Sequence, residues 1–223
     1  MDRFLTSFFN LEIMGRYLPK ILSGMEVTAY LGIGVVVSGL AAGLALAVVR
    51  TFGIKPVNVA IVLAVDILRT VPPLVLIVLF FYGLPATGIP LDGLGSTWLA
   101  LSLVLAAFAE EIYWAGILSV SKGQWEAARS TGLGFTATLA WVILPQAIRL
   151  AIPPLTNRTI AITKNTALGQ VVAVQEILYQ AYSGLSFSYN PSPLTLGALA
   201  YLVLFVPVVI AGRWIETRFA WKR

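Results

Sequence analysis

Apolar residues in this chain fall in long runs separated by short polar stretches, a pattern of membrane spans rather than of half-buried soluble elements. Five runs are long enough to cross a bilayer as helices: residues 27–49, 57–82, 98–120, 137–162 and 194–211. The pattern predicts an all-α membrane protein, a single transmembrane domain over residues 1–223 with five transmembrane helices. The first run is rich in small residues, and Gly39 and Gly43 form a G-x-x-x-G pair, which lets helix backbones approach closely in lipid. Residues 168–182 alternate Leu168, Val171, Val172, Ile177 and Leu178 with Gln170, Gln175, Glu176 and Gln180. That stretch is too short to span, and a partly embedded or re-entrant helix is expected, followed by a turn-rich loop, SGLSFSYNPSP.

Polar positions inside the spans change the picture. Asp66 and Arg69 are three apart, on one helix face, and Pro72 and Pro73 then remove two amide donors and disfavour helix at Val71. At 1.5 Å per residue, Arg69 lies roughly 20 Å from the Pro56 end, in the middle third of the bilayer. A broken helix beside an ion pair at that depth faces protein or water, not lipid. Glu110 and Glu111 sit inside the third span, about 100° apart around the helix, so they do not pair on one face. Arg149 and Arg158 fall in the fourth span, which Pro145, Pro153 and Pro154 are expected to kink. The span closes on Lys164, Asn165 and Thr166.

Between spans three and four lies a charged cytoplasmic loop at about 119–138, carrying Lys122, Glu126 and Arg129, with Gly123 and Gly132 as helix boundaries. Residues 83–97 (GLPATGIPLDGLGST) are turn formers without Lys or Arg, a non-cytoplasmic loop. Arg213, Trp214, Arg218, Trp221, Lys222 and Arg223 make a basic-aromatic cytoplasmic anchor. Five spans then put the N-terminus outside, against which Arg3, Arg16 and Lys20 count.

Composition supports the bilayer. The 223 residues are 58% hydrophobic and 11% charged, with a mean hydropathy of +0.87; soluble domains carry about 25% charged residues. The chain has no cysteine and no histidine, which excludes disulfides, zinc–thiolate sites and mechanisms built on either residue. No catalytic residue and no metal ligand is assigned, although a carboxylate-only metal site stays formally open. The net charge of +5 comes from basic residues scattered among apolar spans, which fits topology rather than nucleic acid. Residues 1–24 hold no clean apolar stretch of the signal-peptide kind.

The segment Glu126-Ala127-Ala128-x3-Gly132-x9-Val142-x-Leu144-Pro145 resembles the loop signature of ABC importer permeases, EAA-x3-G-x9-I-x-LP, with Val142 in place of the usual Ile. More of the chain is similar to the polar amino acid branch of that family, the histidine, glutamate and glutamine group. Its R-G-T-P-L-L-V run corresponds, with departures, to Arg69-Thr70-Val71-Pro72-Pro73-Leu74-Val75, and its A-E-I-x-R-G-G-I run to 110–117. S-V-x-x-G-Q-x-E-A-A is matched throughout at 119–128, and the K-D/N-T/S-S-L run at Lys164-Asn165-Thr166-Ala167-Leu168. Trp114 stands where a basic residue is common, and Asn165 where many relatives have Asp.

The resemblance implies the type I ABC importer permease fold, a multi-pass protein of the bacterial cytoplasmic (inner) membrane whose cytoplasmic coupling helix docks an ATPase. Glu126, Ala127, Ala128, Gly132, Leu144 and Pro145 are the implied ATPase-coupling residues. The chain has no G-x-x-x-x-G-K-[ST] phosphate loop, so it is itself non-catalytic and needs no cofactor; ATP and Mg are expected on a partner. The implied partners are a pair of ATP-binding subunits, a second permease (a copy or a homologue), a periplasmic or extracytoplasmic amino acid binding protein and the lipid bilayer, with no nucleic acid. Asp66, Arg69, Thr70, Glu111, Lys164, Asn165 and Thr166 are the polar groups available to line the substrate pathway, and each is equally able to serve as a structural partner of another. Asn165 removes a fixed negative charge beside the implied substrate cavity, which argues against cationic amino acids. The rival function is a secondary transporter or other carrier not driven by ATP, for which internal repeats and ion-coupling residues are wanting.

Overall fold

The computed structural model describes residues 2–219. Trp221, Lys222 and Arg223, the end of the expected C-terminal anchor, lie outside the described residues. In chain order the helices are α1 (Asp2–Phe8), α2 (Leu11–Arg50), α3 (Lys55–Thr70), α4 (Pro73–Ala86), α5 (Gly93–Ser119), α6 (Lys122–Ser130), α7 (Phe135–Thr138), α8 (Leu144–Lys164), α9 (Ile177–Ser188) and α10 (Ser192–Phe219). A π-helical turn, Leu139–Ile143, leads into α8, and a 3-10 stretch, Asn165–Val172, leaves it. Among the described residues there is no strand.

Among the described residues, four helical stretches are long and apolar enough to cross a membrane: Phe4–Arg50, Gly93–Ser119, Phe135–Val172 and Ser192–Arg218. The bent pair α3 and α4 makes a fifth if it is counted as one span. α10 exposes Leu202, Val203, Val206 and Ile210, an outward apolar surface that suits lipid.

The break expected within the span over 57–82 is present: α3 stops at Thr70, Val71 is extended (φ −75°, ψ 129°), and α4 starts at Pro73. Pro72 and Pro73 donate no amide, and Pro72 pushes Val71 out of helical backbone. Two other elements differ from the sequence pattern. α8 runs through Pro153 and Pro154, and the irregularity sits upstream, where the Leu144 N–H donates to the Leu139 carbonyl five residues back. Pro145 has no N–H to continue the ordinary register, and the π turn absorbs the mismatch. Residues 168–182 are not one amphipathic helix either. The 3-10 stretch ends at Ala173 in left-handed backbone (φ 60°), and α9 then extends through most of the expected loop.

The chain divides into two compact units. The first takes the chain up to Val36, Pro72–Ser102 and Ala161–Ile210. Its core joins Ile21 of α2, Ile177 and Ala181 of α9, and Ala200 of α10. Glu176, fully buried, caps α9 by accepting from the Leu178 and Tyr179 amides at 2.9 and 2.7 Å, and the Tyr201 hydroxyl donates to the same carboxylate. Gly24 fits here because a β-carbon would lie 3.0 Å from the Glu176 backbone.

The second unit takes Val37–Val71, Leu103–Ile160 and the chain from Ala211. Its core joins Ala47 of α2, Ala109, Tyr113 and Ile117 of α5, and Ile143, Ala147 and Ala151 around α8. The glycine pair of the first span works here: a β-carbon on Gly43 would stand 2.6 Å from that of Ala109, and one on Gly39 2.8 Å from the Leu105 side chain.

Candidate functional site

Two features of the second unit carry chemistry, and the first is the segment from α6 to the start of α8. α6 is amphipathic over nine residues. Ala128 is buried, and Trp125 packs inward, its ring stacked 5.6 Å from Phe135, which in turn lies 5.7 Å from Phe52. Glu126, Ala127 and Arg129 point outward and are exposed. α6 ends where Gly132 takes φ +89°, with its amide on the Arg129 carbonyl at 3.0 Å. Leu144 is half-buried against the core and Pro145 is exposed. Gln146 Nε2 donates to Gln124 at 3.2 Å and to the Val142 carbonyl at 2.8 Å, tying α6 to the root of α8.

The second feature is a pair of ion pairs on α5. Glu110 is fully buried and accepts from Arg50 at 3.0 Å, while the Arg50 guanidinium lies 4.5 Å from the centroid of the Trp114 ring. Glu110 Oε2 is buried without a hydrogen-bond partner. Glu111 faces elsewhere and meets Arg69 at 2.5 Å; its side chain is 50% exposed and that of Arg69 30%. Two guanidinium groups share the Phe108 ring, Arg158 at 3.7 Å and Arg69 at 5.2 Å from its centroid. Asp66 is exposed, and no ion pair joins it to Arg69; its carbonyl accepts from Thr70 at 2.7 Å.

The model of the family described as binding-protein-dependent transport system inner membrane component matches residues 34–221. The chain belongs to this family. A probable glutamine ABC transporter permease of Bacillus subtilis, GlnM, is 35% identical over 94% of this chain and 97% of its own length. The L-cystine transport system permease TcyB of the same organism is 38% identical over 74% of this chain and 70% of its own length. Among solved structures, an amino acid ABC transporter crystallised with histidines superposes with a TM-score of 0.82 at 30% identity, over 92% of this chain and 96% of that one.

In this inner membrane component the remaining expected pathway residues lie in the first unit, at the junction of α8 with the 3-10 stretch. Lys164 is exposed, Asn165 half-buried, and Thr166 fully buried with its hydroxyl on the Thr163 carbonyl at 2.8 Å. Of the seven expected pathway residues, Arg69 and Glu111 are joined by an ion pair. Sequence reading missed three participants. Arg50 reads as a span terminus and Phe108 as ordinary core. Arg158 carried a signal, a cation inside an apolar span, but nothing in the sequence tied it to Phe108.

Proposed function

We propose that this chain is the membrane subunit of an ATP-driven importer of polar amino acids, working in a bacterial cytoplasmic membrane. Two permeases form the translocation pathway, an external binding protein delivers the substrate, and a pair of separate ATPases docks on the α6 segment. The observation that carries this reading is the form of α6. It is a short amphipathic helix anchored by Trp125 and Ala128, with Glu126 and Ala127 turned outward and a glycine-only turn behind it. Small Ala127 lets a partner surface approach, and Glu126 offers a charge for interface pairing. The Gln124–Gln146 contact gives a displacement of α6 a direct route into α8, and the Trp125–Phe135 stack one into α7.

The amino acid class is supported by the relatives named for glutamine and L-cystine and by the solved amino acid transporter. Asn165 argues for neutral or acidic over cationic substrates, and best transport of arginine or lysine by the reconstituted importer would contradict that preference.

Gly132→Asp tests the docking role. A β-carbon at Gly132 meets nothing within 4 Å, so the change acts through backbone strain at φ +89° and through added charge, not through a clash. The variant is expected to insert in the membrane and to lose association with the ATPase or coupling to it. Normal ATP-driven uptake would refute the assignment.

A further inference from the structure

Arg158 of α8 carries a charge that the rest of the unit leaves uncompensated. Its guanidinium sits 3.7 Å from the Phe108 centroid, and among the described residues no carboxylate lies within ion-pair distance of it. The other cation on that ring, Arg69, is held by Glu111 Oε2 at 2.5 Å. Asp66, one turn earlier on α3, is exposed and forms no ion pair with either arginine. Phe108 and Glu111 belong to the apolar stretch Gly93–Ser119, and Arg158 to Phe135–Val172. Cations in such positions are costly unless paired or facing a polar cavity.

Spacing supplies the second half of a site. Phe108 and Glu111 are three apart on α5, neighbours on one face with β-carbons about 5–6 Å apart. Arg69 reaches both ends of that face, lying 5.2 Å from the Phe108 centroid and on Glu111 Oε2, so the ring that carries Arg158 and the Glu111 carboxylate border the same guanidinium. Arg69 occupies Oε2, and the side chain is 50% exposed, so Oε1 remains open to a donor. A guanidinium on the Phe108 ring and an open carboxylate oxygen on Glu111, residues one turn apart on α5, complement a zwitterion. A cation flat on an aromatic ring keeps its N–H edge free for a bidentate carboxylate.

Resting on the function proposed above, we infer that Arg158 binds the α-carboxylate of the transported amino acid while Glu111 Oε1 receives its α-ammonium. Arg69 is a positioning residue that fixes the Glu111 carboxylate, and Phe108 is the platform for Arg158.

The test uses the permease–ATPase complex in lipid nanodiscs without the binding protein, so that the receptor's own selectivity does not enter. Binding of radiolabelled L-glutamine and L-histidine is measured, with competition by each free amino acid and by its α-amide, L-glutaminamide or L-histidinamide. The wild-type complex is expected to bind at least one of the two and to prefer the acid to the amide by about 10-fold or more. Arg158→Gln should weaken binding about 10- to 100-fold and abolish the preference for acid over amide, and Arg158→Lys should keep part of both. The acid-to-amide ratio does not depend on the fraction of active protein, so partial misfolding of a variant leaves the readout intact. An undiminished preference in Arg158→Gln overturns the inference. So does a wild type that ignores the α-carboxylate or binds neither amino acid. Failure of the docking proposal has a separate signature, the absence of an ATPase from the purified complex, and amino acid binding is read whether or not the ATPase is there.

Discussion

Rotation of about 100° per residue separates Glu110 from Glu111 on α5, and the two carboxylates serve different arginines. Glu110 is fully buried, and removing it leaves the Arg50 guanidinium, at 21% side-chain exposure, against the Trp114 ring without its carboxylate. Breaking a buried pair from one side costs about 3–5 kcal/mol. Glu110→Ala should therefore sharply lower the thermal stability of the purified protein in detergent, and Glu110→Gln, which still accepts from Arg50, should lower it less. Glu176 behaves differently. Burial pushes its carboxyl above the usual carboxylate range, against the Tyr201 hydroxyl and the Leu178 and Tyr179 amides, which pull it down. A carboxyl raised by folding contributes stability that is fully present below its unfolded value and is lost as pH rises through its folded value. Glu176→Gln is expected to flatten that decline in a pH series of melting temperatures; an unchanged slope would mean that Glu176 does not titrate. Tyr201→Phe removes one donor to the buried carboxylate and should cost about 1–3 kcal/mol in the same assay.

Helix packing is where small residues matter. Gly43 of α2 lets that helix approach α5 so closely that a β-carbon would sit 2.6 Å from Ala109 and 2.8 Å from the Ala106 carbonyl. Because the obstacles are backbone and a β-carbon, they cannot swing aside. Gly43→Leu should therefore cut the yield of folded protein, measured as the monodisperse fraction after detergent extraction, far more than Gly15→Leu, where a β-carbon meets nothing within 4 Å. The G-x-x-x-G spacing made this contact legible in the sequence. The break at Val71 was equally legible, since Pro72 and Pro73 leave the backbone no helical option. Other element-level features were hidden. The π turn before Pro145 accommodates a donor that proline lacks, but the residues over which the wider turn falls are not marked in the sequence. The start of α9 rests on a cap by Glu176, whose carboxylate also meets Tyr201 of α10 and whose backbone lies beside Gly24 of α2, partners far away in the sequence. Asp66 and Arg69 share a helix face as expected, yet Arg69 turns to Glu111 on α5, a partner that helical spacing within α3 cannot reveal.

For the molecule as a whole, long apolar helices leave, among the described residues, a charged and exposed helix, α6, between two spans. Membership of the inner membrane component family assigns the chain to transport, and the function proposed above places the ATPase on a partner. The central claim is that α6 is where this partner docks. Because the chain has no cysteine, Ala127→Cys introduces the sole thiol, on the exposed side of α6. A short thiol-to-amine cross-linker applied to membranes from the native host, followed by mass spectrometry, reads what lies there. The account predicts a cross-link from residue 127 to a subunit that bears the phosphate loop and hydrolyses ATP, and loss of that cross-link in Gly132→Asp. A thiol that is labelled from outside the cell, or that never cross-links to a nucleotide-hydrolysing subunit, would contradict it.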